Sequence, residues 1–420
     1  MAIIRPFIGI RPNKGKAAKI AALPYDVYNR EEAKKVVTVQ PESFLAIDRA
    51  ETNFTDDIST YDEVVYEKAR ELLWERVEKG DFIRERNSCY YIYELTMNGR
   101  SQTGIVACAS IDDYKNNVIK KHENTREEKE LDRIHHVDTC SAQTGPIFLA
   151  YRAHEGINEV IRQVKMGEAE YDFVSEDGVR HRVFVIFEEA QIATIEQAFL
   201  EINEIYIADG HHRCASAVKV AERRRVAYPD YTGKEEFNYF LSVLFPDEEL
   251  YIMDYNRVLK DLNGYTAQTF YDEVTKRFDV EEITEKTDRH PEKKGTFTMY
   301  LEGSWYACTI RPKDIPRDAH GVADPVKALD VSLLQDMLLD PVLGIDDPKT
   351  NARIDFVGGI RGLDELVRRC NADCAVAFAM YPTSIQELFD VADAGFLMPP
   401  KSTWFEPKLR SGLFIHEIER

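Results

Sequence analysis

The chain has 420 residues, of which 44% are apolar and 30% are charged, and its formal net charge is −20. This composition is typical of a folded globular protein, and the length predicts more than one domain. The negative charge disfavours nucleic-acid partners, although a local pocket can still bind a small anion or a nucleotide.

The N-terminal segment has no continuous apolar stretch, because Arg5, Pro6, Arg11 and Pro12 interrupt it. It therefore does not resemble a signal peptide, and no run in the chain approaches the ~18 apolar residues of a membrane span. We expect a cytoplasmic protein without membrane contact. The seven cysteines are scattered and predict no disulfide framework, and the sequence does not indicate an oligomeric state.

Strands and helices alternate irregularly along the chain. Apolar, β-branched stretches predict strands over residues 43–47, 90–96, 103–111, 183–187, 205–208 and 237–244. Helical periodicity predicts helices over residues 62–80, 264–280 and 364–370. The pairs Asn98-Gly99 and Glu302-Gly303 predict tight hairpin turns. The expected fold is therefore α+β, with mixed sheets, hairpins and packed helices, divided into a core over residues 1–262 and a C-terminal region with an ordered tail over residues 263–420.

The segment of residues 205–218 reads IYIADGHHRCASAV and places polar chemistry between a strand and a helix. The first turn of such a helix has unpaired backbone N–H groups and a partial positive charge, which together attract phosphate or carboxylate. Gly210 permits close backbone approach, and Arg213 adds a fork of donors for phosphate oxygens. His211 and His212 can donate hydrogen bonds or transfer protons.

Asp209 does not fit a plain anion site, because a carboxylate repels an anion. It becomes useful if Mg²⁺ bridges the two, or if it accepts a proton from a reacting hydroxyl. The simpler alternative is that Asp209 only caps the helix. For His211 and His212 the alternatives are one core and one surface histidine, or a shared zinc ion, which diverging neighbouring side chains disfavour.

A second polar cluster lies over residues 116–139. Thr125 and Glu128 predict a capping box that starts a helix near Arg126. Along this helix Arg126, Lys129, Arg133 and His136 fall on one face.

Two interpretations of this basic face remain open. It can be a solvated helix whose glutamates balance the cations, or a lid that binds an anion together with Lys121 and His122. In the second case Glu123 is a candidate general base or metal ligand. A third candidate is Asp26 in the turn ALPYDVYN, unless it only caps the helix that begins around Glu31.

Several motifs together resemble the bacterial and archaeal family catalogued as domain-of-unknown-function family 1015, over nearly the whole chain. They are RPFIGIRP, ALPYDVYNREEA, SFLAIDR, LTMNGRSQTGIVACASIDDY, IKKHENTREEKELDR, IYIADGHHRCASA and MPPKSTWFEPKLRSGL. That family name implies no activity.

The turn at Asp209 also resembles the D-G-H-x-R turn of the ParB/sulfiredoxin superfamily, which implies a core of that kind. The superfamily includes CTP-hydrolysing partition proteins, sulfiredoxin and an ADP-dependent free-serine kinase. The resemblance implies that Gly210, His211 and Arg213 hold phosphates, and that Asp209 faces Mg²⁺ or the acceptor hydroxyl. Sulfiredoxin has a catalytic cysteine where this chain has Gly210, and no helix-turn-helix is apparent, so the kinase is the best-matched analogue.

The favoured hypothesis is a Mg²⁺-dependent phosphotransferase between ADP or ATP and a small hydroxyl metabolite, with serine as the candidate acceptor. Arg126, Lys129 and Arg133 would neutralise charge on the transferred group, and Asp209 or Glu123 would serve as base or metal ligand. One alternative is a phosphatase for a phosphoserine-like ester, with His211 or His212 as acid or base. Another is a non-catalytic protein that binds a nucleotide or metabolite.

Overall fold

The computed structural model describes residues 1–284 and 288–419 and forms two compact units. The first unit comprises Met1–Leu250 together with Pro407–Arg420, and the second comprises Tyr251–Glu406. This division differs from the expected boundary after residue 262, and the tail belongs to the first unit rather than to the C-terminal region. No glycine-rich or proline-rich linker marks the transition, so composition could not locate it.

Helices and strands alternate along the described chain, which confirms the predicted α+β class. The helices are α1 Ala17–Ile20, α2 Arg30–Val39, α3 Leu45–Asp48, α4 Glu63–Glu78, α5 Ile111–Lys115, α6 Glu127–Cys140, α7 Glu155–Lys165, α8 Glu189–Glu201, α9 His211–Ala227, α10 Ala267–Arg277, α11 Asp330–Leu334, α12 Gly362–Ala372 and α13 Ile385–Asp393.

The strands are short, apart from the central ones of the larger sheet. They are β1 Ile4–Arg5, β2 Ile10–Pro12, β3 Phe82–Arg84, β4 Tyr90–Met97, β5 Arg100–Ser110, β6 Ile119–Lys120, β7 Ala142–Gln143, β8 Ile147–Tyr151, β9 Tyr171–Val174, β10 Arg180–Ile186, β11 Ile205–Asp209, β12 Tyr239–Pro246, β13 Ile252–Met253, β14 Tyr255–Leu259, β15 Phe278–Glu282, β16 Thr296–Leu301, β17 Ser304–Ile310, β18 Ile354–Gly358, β19 Val376–Ala379, β20 Trp404–Phe405 and β21 His416–Glu417.

The main sheet of the first unit has the strand order β6-β11-β8-β12-β5-β4-β10-β9, and β1 pairs with β5. The β4–β5 hairpin turns at Asn98 and Gly99, whose φ angles are 52° and 79°, as the sequence predicts. At the other end of the sheet, β6 and β11 run parallel. Their carboxyl ends therefore lie at the same edge, which positions the candidate site.

Two large hydrophobic clusters lie within this unit. The larger one packs the main sheet against α7, α8 and α9, with Ile157, Phe199 and Ala217 among its buried members. The second surrounds α2, α3 and α4 and includes Phe44 and Leu73. Burying apolar side chains on both faces of the sheet holds the strand ends in fixed positions.

The predicted strand over residues 43–47 is wrong, because α3 occupies most of this stretch. Phe44, Leu45 and Ile47 are all fully buried, and the Ser43 hydroxyl accepts a hydrogen bond from the Leu45 N–H at 3.3 Å. A short apolar run is compatible with either a buried strand or a buried helix. Packing of α3 against α4 selects the helix.

The start of α6 also differs from the expected capping box. Arg126, and not the predicted Thr125, is the N-cap residue, and no side chain caps the helix. The Thr125 hydroxyl donates instead to Glu130 Oε2 at 2.7 Å. Because Glu130 is buried against α9, this tertiary partner replaces Glu128.

The C-terminal tail is an integral part of the first unit. Strand β21 pairs with β7, and Ser411 forms a two-way backbone pairing with Ala22. Gly412 has a φ of +81°, and a Cβ there would lie 2.4 Å from Phe44 Cγ, so only glycine fits. The tail is therefore anchored by specific contacts.

The second unit has a sheet with the order β15-β17-β16-β19-β14-β18. Its β16–β17 hairpin turns at Glu302 and Gly303, as predicted, and α12 covers one face of the sheet through Leu366. Within the described residues, no helix has the length and apolar character needed to cross a membrane.

Candidate functional site

Both polar segments singled out in the sequence reach one edge of the main sheet. Lys121, His122 and Glu123 follow β6, while Asp209 ends β11 and Gly210 follows it. Because these neighbouring strands are parallel, their carboxyl ends meet at the same edge. The fold therefore joins two clusters that lie about 90 residues apart in sequence.

A glycine turn separates β11 from α9. The pairing register shifts between Ile207 and Asp209, and Gly210 has a φ of +94°, a conformation that side chains with a Cβ rarely adopt. Gly210 is the N-cap residue and supplies no capping side chain. The first-turn N–H groups of α9 have no partner within the helix and face the same edge of the sheet. This is the backbone geometry of an anion site.

Asp209 is not the cap of this helix, so that alternative is wrong. Its Oδ1 accepts the N–H of Gly210 at 2.8 Å, and its Oδ2 accepts from Lys408 Nζ at 3.1 Å. Burial raises the pKa of Asp209, but the Lys408 and Arg213 cations outweigh it and hold the pKa well below its ordinary value. Asp209 is therefore an ionised carboxylate whose charge is balanced by protein cations.

Arg213 packs against Gly210. A Cβ at position 210 would lie 3.2 Å from Arg213 Nε and 3.3 Å from its Cζ and Nη2. Arg213 Nη1 donates to the Pro146 carbonyl at 2.6 Å, its one hydrogen bond within the described residues. The rest of the guanidinium therefore has donors available beside the turn.

His211 and His122 form a buried pair. Their ring centroids lie 4.5 Å apart at an interplanar angle of 85°, and the His122 N–H donates to His211 Nε2 at 3.4 Å. His211 Nδ1 lies 3.9 Å from Glu123 Oε2. Within the described residues, His122 Nδ1 is buried and has no hydrogen-bond partner.

Burial keeps both rings neutral. It lowers the pKa of His122 to about 4 and that of His211 well below its ordinary value. A neutral His211 whose Nε2 already accepts a hydrogen bond is a poor general acid at neutral pH. Because its ring accepts the backbone N–H of His122, His211 fits a role in positioning the loop after β6.

His212 connects α9 to α6. Its Nε2 accepts the N–H of Arg126 at 2.9 Å, so it satisfies a backbone donor at the start of α6. Burial lowers the pKa of His212, which favours the neutral ring that this contact needs. His212 is half-buried, whereas His211 is buried.

The predicted basic face of α6 divides into two parts. Arg126 and Lys129 are exposed, whereas Arg133 and His136 are buried. Arg133 Nε donates to Asp132 Oδ2 at 2.8 Å, and its guanidinium carbon lies 3.9 Å from the centre of the Tyr25 ring. The face therefore matches neither interpretation completely. Its first two residues are exposed to solvent, and its buried arginine already has a protein partner.

A cavity of about 240 Å³ lies beside this face. Its walls come from α6, α3, α4 and the turn that contains Tyr25, and its lining residues are Tyr25, Asp26, Tyr28, Asp48, Arg49, Ala50, Glu51, Thr60, Tyr61, Val65, Tyr66, Lys129, Asp132, Arg133 and His136. A smaller cavity of about 30 Å³ has four lining residues in common with the larger one and is also lined by Arg213. Tyr25, Asp48, Arg133 and His136 therefore line both cavities.

Asp26 faces this cavity and does not cap α2. The cap is Asn29, which forms a capping box with Glu32. The motif ALPYDVYN thus contributes Tyr25 and Asp26 to the cavity wall.

The sequence interpretation missed several charged residues of this region. Asp48 accepts the Thr144 hydroxyl at 2.9 Å, Asp132 pairs with Arg133, and Lys408 pairs with Asp209. Each lies in a motif that carries the family resemblance, namely SFLAIDR, IKKHENTREEKELDR and MPPKSTWFEPKLRSGL. The sequence showed these charged residues within the motifs, but it did not show which of them lie close together in the fold.

Comparison with known proteins gives one clear match. Residues 4–332 match the family model described as "Protein of unknown function (DUF1015)". No curated protein matches the chain.

Several solved structures are weakly similar. A free serine kinase in complex with AMP is 14% identical, covers 74% of this chain and 91% of its own, and has a TM-score of 0.34. A conserved hypothetical protein from Pyrococcus furiosus is 14% identical, with coverages of 73% and 93% and a TM-score of 0.32. SbnI from Staphylococcus aureus, with a C-terminal truncation, is 11% identical, with coverages of 72% and 82% and a TM-score of 0.36. These values are too low to bear on the function of this chain.

Proposed function

Since the chain belongs to the DUF1015 family, whose description names no reaction, we propose from the site itself that it is a nucleotide-dependent phosphotransferase acting on a small hydroxyl metabolite. The observation that carries the proposal is the turn at Gly210, where the open N–H groups of α9 and the Arg213 guanidinium lie side by side, and Arg213 also lines a small cavity. The sequence resemblance to the D-G-H-x-R turn supports the same assignment.

The nucleotide phosphates would bind at this turn. Backbone N–H groups at a helix start bind phosphate oxygens, and the planar fork of Arg213 adds charge-assisted hydrogen bonds. Gly210 lets the Arg213 guanidinium lie against the backbone of the turn, beside these N–H groups. Lys121 and Arg126, both exposed beside the turn, would add positive charge around it.

The acceptor would bind in the 240 Å³ cavity. Pockets for drug-sized ligands usually span ~300–1,000 Å³, so this one suits a molecule smaller than a nucleoside. Its walls carry both carboxylates and cations, a lining suited to a small polar metabolite. Serine is the first acceptor to test, and Lys129 and Arg133 would neutralise charge on the group in transfer.

Asp209 suits a metal ligand better than a general base. Lys408 and Arg213 depress its pKa despite burial, and a more weakly basic carboxylate is a poorer proton acceptor. Asp26, on the cavity wall, and Glu123, near His211, are two carboxylates that could accept the hydroxyl proton.

A Mg²⁺ ion fits this site only together with the nucleotide. Within residues 1–284 and 288–419, no group of three or more histidine, cysteine, aspartate or glutamate side chains is placed to hold a metal ion. Mg²⁺ commonly takes one or two protein carboxylates and completes its shell with phosphates and water, so Asp209 would be the protein ligand. When bound, Mg²⁺ supplies charge neutralisation on the phosphates.

The first experiment incubates the purified protein with ADP or ATP, Mg²⁺ and serine or a panel of small alcohols, and detects phosphorylated product by mass spectrometry. We expect a product that disappears with EDTA and falls at least tenfold in Arg213→Met, since a charged hydrogen bond contributes about 1.5–3 kcal/mol. The variants Asp26→Asn and Glu123→Gln identify the general base. The variant that lowers the reaction rate without weakening nucleotide binding has lost it.

Other results would support the alternatives. Release of phosphate from phosphoserine without any nucleotide would indicate the phosphatase. Nucleotide binding without product from any acceptor would indicate the non-catalytic binding protein. If the protein neither binds a nucleotide nor forms product, the proposal is overturned.

A further inference from the structure

The cation that balances Asp209 comes from the C-terminal tail. Lys408 Nζ lies 3.1 Å from Asp209 Oδ2, and the two residues are 199 positions apart in the chain. Lys408 follows the whole second unit in sequence and lies beyond the matched family region of residues 4–332. The edge of the first-unit sheet thus receives a charged group from the far end of the chain.

The tail holds this lysine in a defined position. Two residues later, Arg410 is buried, donates to Ser175 Oγ at 3.1 Å and pairs with Asp177. Next, Ser411 exchanges backbone hydrogen bonds of 2.9 and 3.2 Å with Ala22. These anchors lie close enough to Lys408 to restrict where its side chain can reach.

The electrostatics at this point suit a phosphate. Two cations meet at the turn, because Lys408 Nζ contacts Asp209 and the Arg213 guanidinium lies against Gly210. An ammonium carries three N–H donors, so one lysine can bridge a carboxylate and a phosphate oxygen. The Lys408 side chain keeps 20% of its surface exposed, which allows contact with a ligand at the turn.

We propose that Lys408 is a phosphate-contacting residue of the nucleotide site, supplied by the tail, and that it balances Asp209 until the nucleotide binds. The proposal rests on phosphate binding at the Gly210 turn, the first part of the proposed function. It does not depend on phosphoryl transfer taking place.

Calorimetric titration of the full-length protein with ADP, with and without Mg²⁺, tests this role. We expect Lys408→Met to weaken ADP binding about 10–100-fold, the range of one charge-assisted hydrogen bond, and Lys408→Arg to keep most of the affinity. Lys408→Gln, which retains a polar donor, serves as a second neutral variant if Lys408→Met unfolds. The matched control is Lys115→Met, which removes another lysine–carboxylate pair of the first unit, at 2.8 Å from Glu222, and should leave ADP binding unchanged.

A double variant separates phosphate contact from simple charge balance. If Lys408 only neutralised Asp209, the Asp209→Asn background would make Lys408→Met harmless to ADP binding. Our proposal predicts that Lys408→Met still weakens binding at least tenfold relative to Asp209→Asn alone. Equal affinities in that background, or unchanged affinity in the single variants, would overturn the role of Lys408 while leaving the proposed function standing.

The wild-type protein distinguishes the two proposals. If it binds neither ADP nor ATP, the proposed function and the role of Lys408 both fall. If it binds ADP without forming product, phosphoryl transfer falls, and the comparison of variants still decides the role of Lys408.

Discussion

At the scale of single residues, Asp209 and Gly210 show why the turn has its composition. A carboxylate in an anion site is unfavourable unless a cation balances it, and Lys408 provides that balance at 3.1 Å. Two features favour glycine at position 210, its φ of +94° and the Arg213 guanidinium, whose Nε would lie only 3.2 Å from a Cβ. Backbone conformation and ligand chemistry therefore depend on the same glycine.

The substitution Gly210→Ala tests this double requirement. We expect it to lower the free energy of unfolding by roughly 1–2 kcal/mol, the cost of a positive φ for a residue with a Cβ. It should also displace Arg213 and weaken ADP binding at least tenfold.

The matched control is Gly99→Ala in the β4–β5 turn. Gly99 has a φ of +79°, but a Cβ at this position would have no other atom within 4 Å, so only the conformational cost applies. Unfolding in urea and ADP titration measure the two effects separately. Equal ADP affinities for the two variants would show that Arg213 does not need the glycine.

At the scale of secondary structure, the site depends on two pairings. Parallel β6 and β11 bring their carboxyl ends together, and α6 packs against α9 through Ser216 Oγ, which donates to the Glu130 carbonyl at 3.0 Å. His212 adds a third link, because its Nε2 accepts the N–H of Arg126. The first turn of α6 is thus held by a side chain of α9 rather than by its own cap.

His212→Ala should loosen the start of α6. Loss of one hydrogen-bond acceptor, at about 1 kcal/mol, predicts roughly fivefold faster amide hydrogen exchange over residues 126–130. The amide exchange of residues 135–140 should stay unchanged, since Arg224 rather than His212 contacts that end of α6. His135→Ala, on the exposed side of the same helix, is the control, and equal exchange in both variants would contradict this role for His212.

At the scale of the whole molecule, the first unit buries several neutral histidines. Burial lowers the pKa of His122 to about 4 and that of His181 to about 3, and it lowers those of His136 and His211 well below the ordinary value. An unfolded histidine titrates near 6.5. Below that pH the unfolded chain binds protons that the folded protein rejects, so acidification favours unfolding.

We therefore expect the free energy of unfolding to fall as the pH is lowered from about 6.5 towards 3. Above pH 7 these groups should have no effect, because both states are then neutral. His122 alone would contribute about 3 kcal/mol at most between pH 7 and 4, taking about 1.4 kcal/mol per pKa unit.

Urea unfolding at pH 7, 5.5 and 4 measures this dependence. His122→Gln should show a shallower loss of stability on acidification than the wild type, although carboxylates protonate in both. His135→Gln, which replaces an exposed ring rather than a buried one, is the control. A His122→Gln slope equal to that of the wild type would mean that the ring does not stay neutral in the fold.

Local patterns account for much of what could be predicted. The Asn98-Gly99 and Glu302-Gly303 hairpins, the helix over 63–78 and the strand-to-helix joint at Gly210 were all readable, because turn chemistry and periodicity act over a few residues. The strand expected over 43–47 failed because an apolar run does not specify which neighbours it packs against. The Thr125–Glu128 capping box failed because Glu130, held by α9, took its place.

The sequence by itself determined the family, the α+β class and the glycine turn with Arg213 beside it. Only the tertiary structure decided which residues share the site: the pairing of β6 with β11, the cavity that joins Asp26 to Arg133, and the return of Lys408 to Asp209. The reason is physical. Backbone preferences depend on adjacent residues, whereas the contacts that build a site form between segments that only burial of the common core brings together.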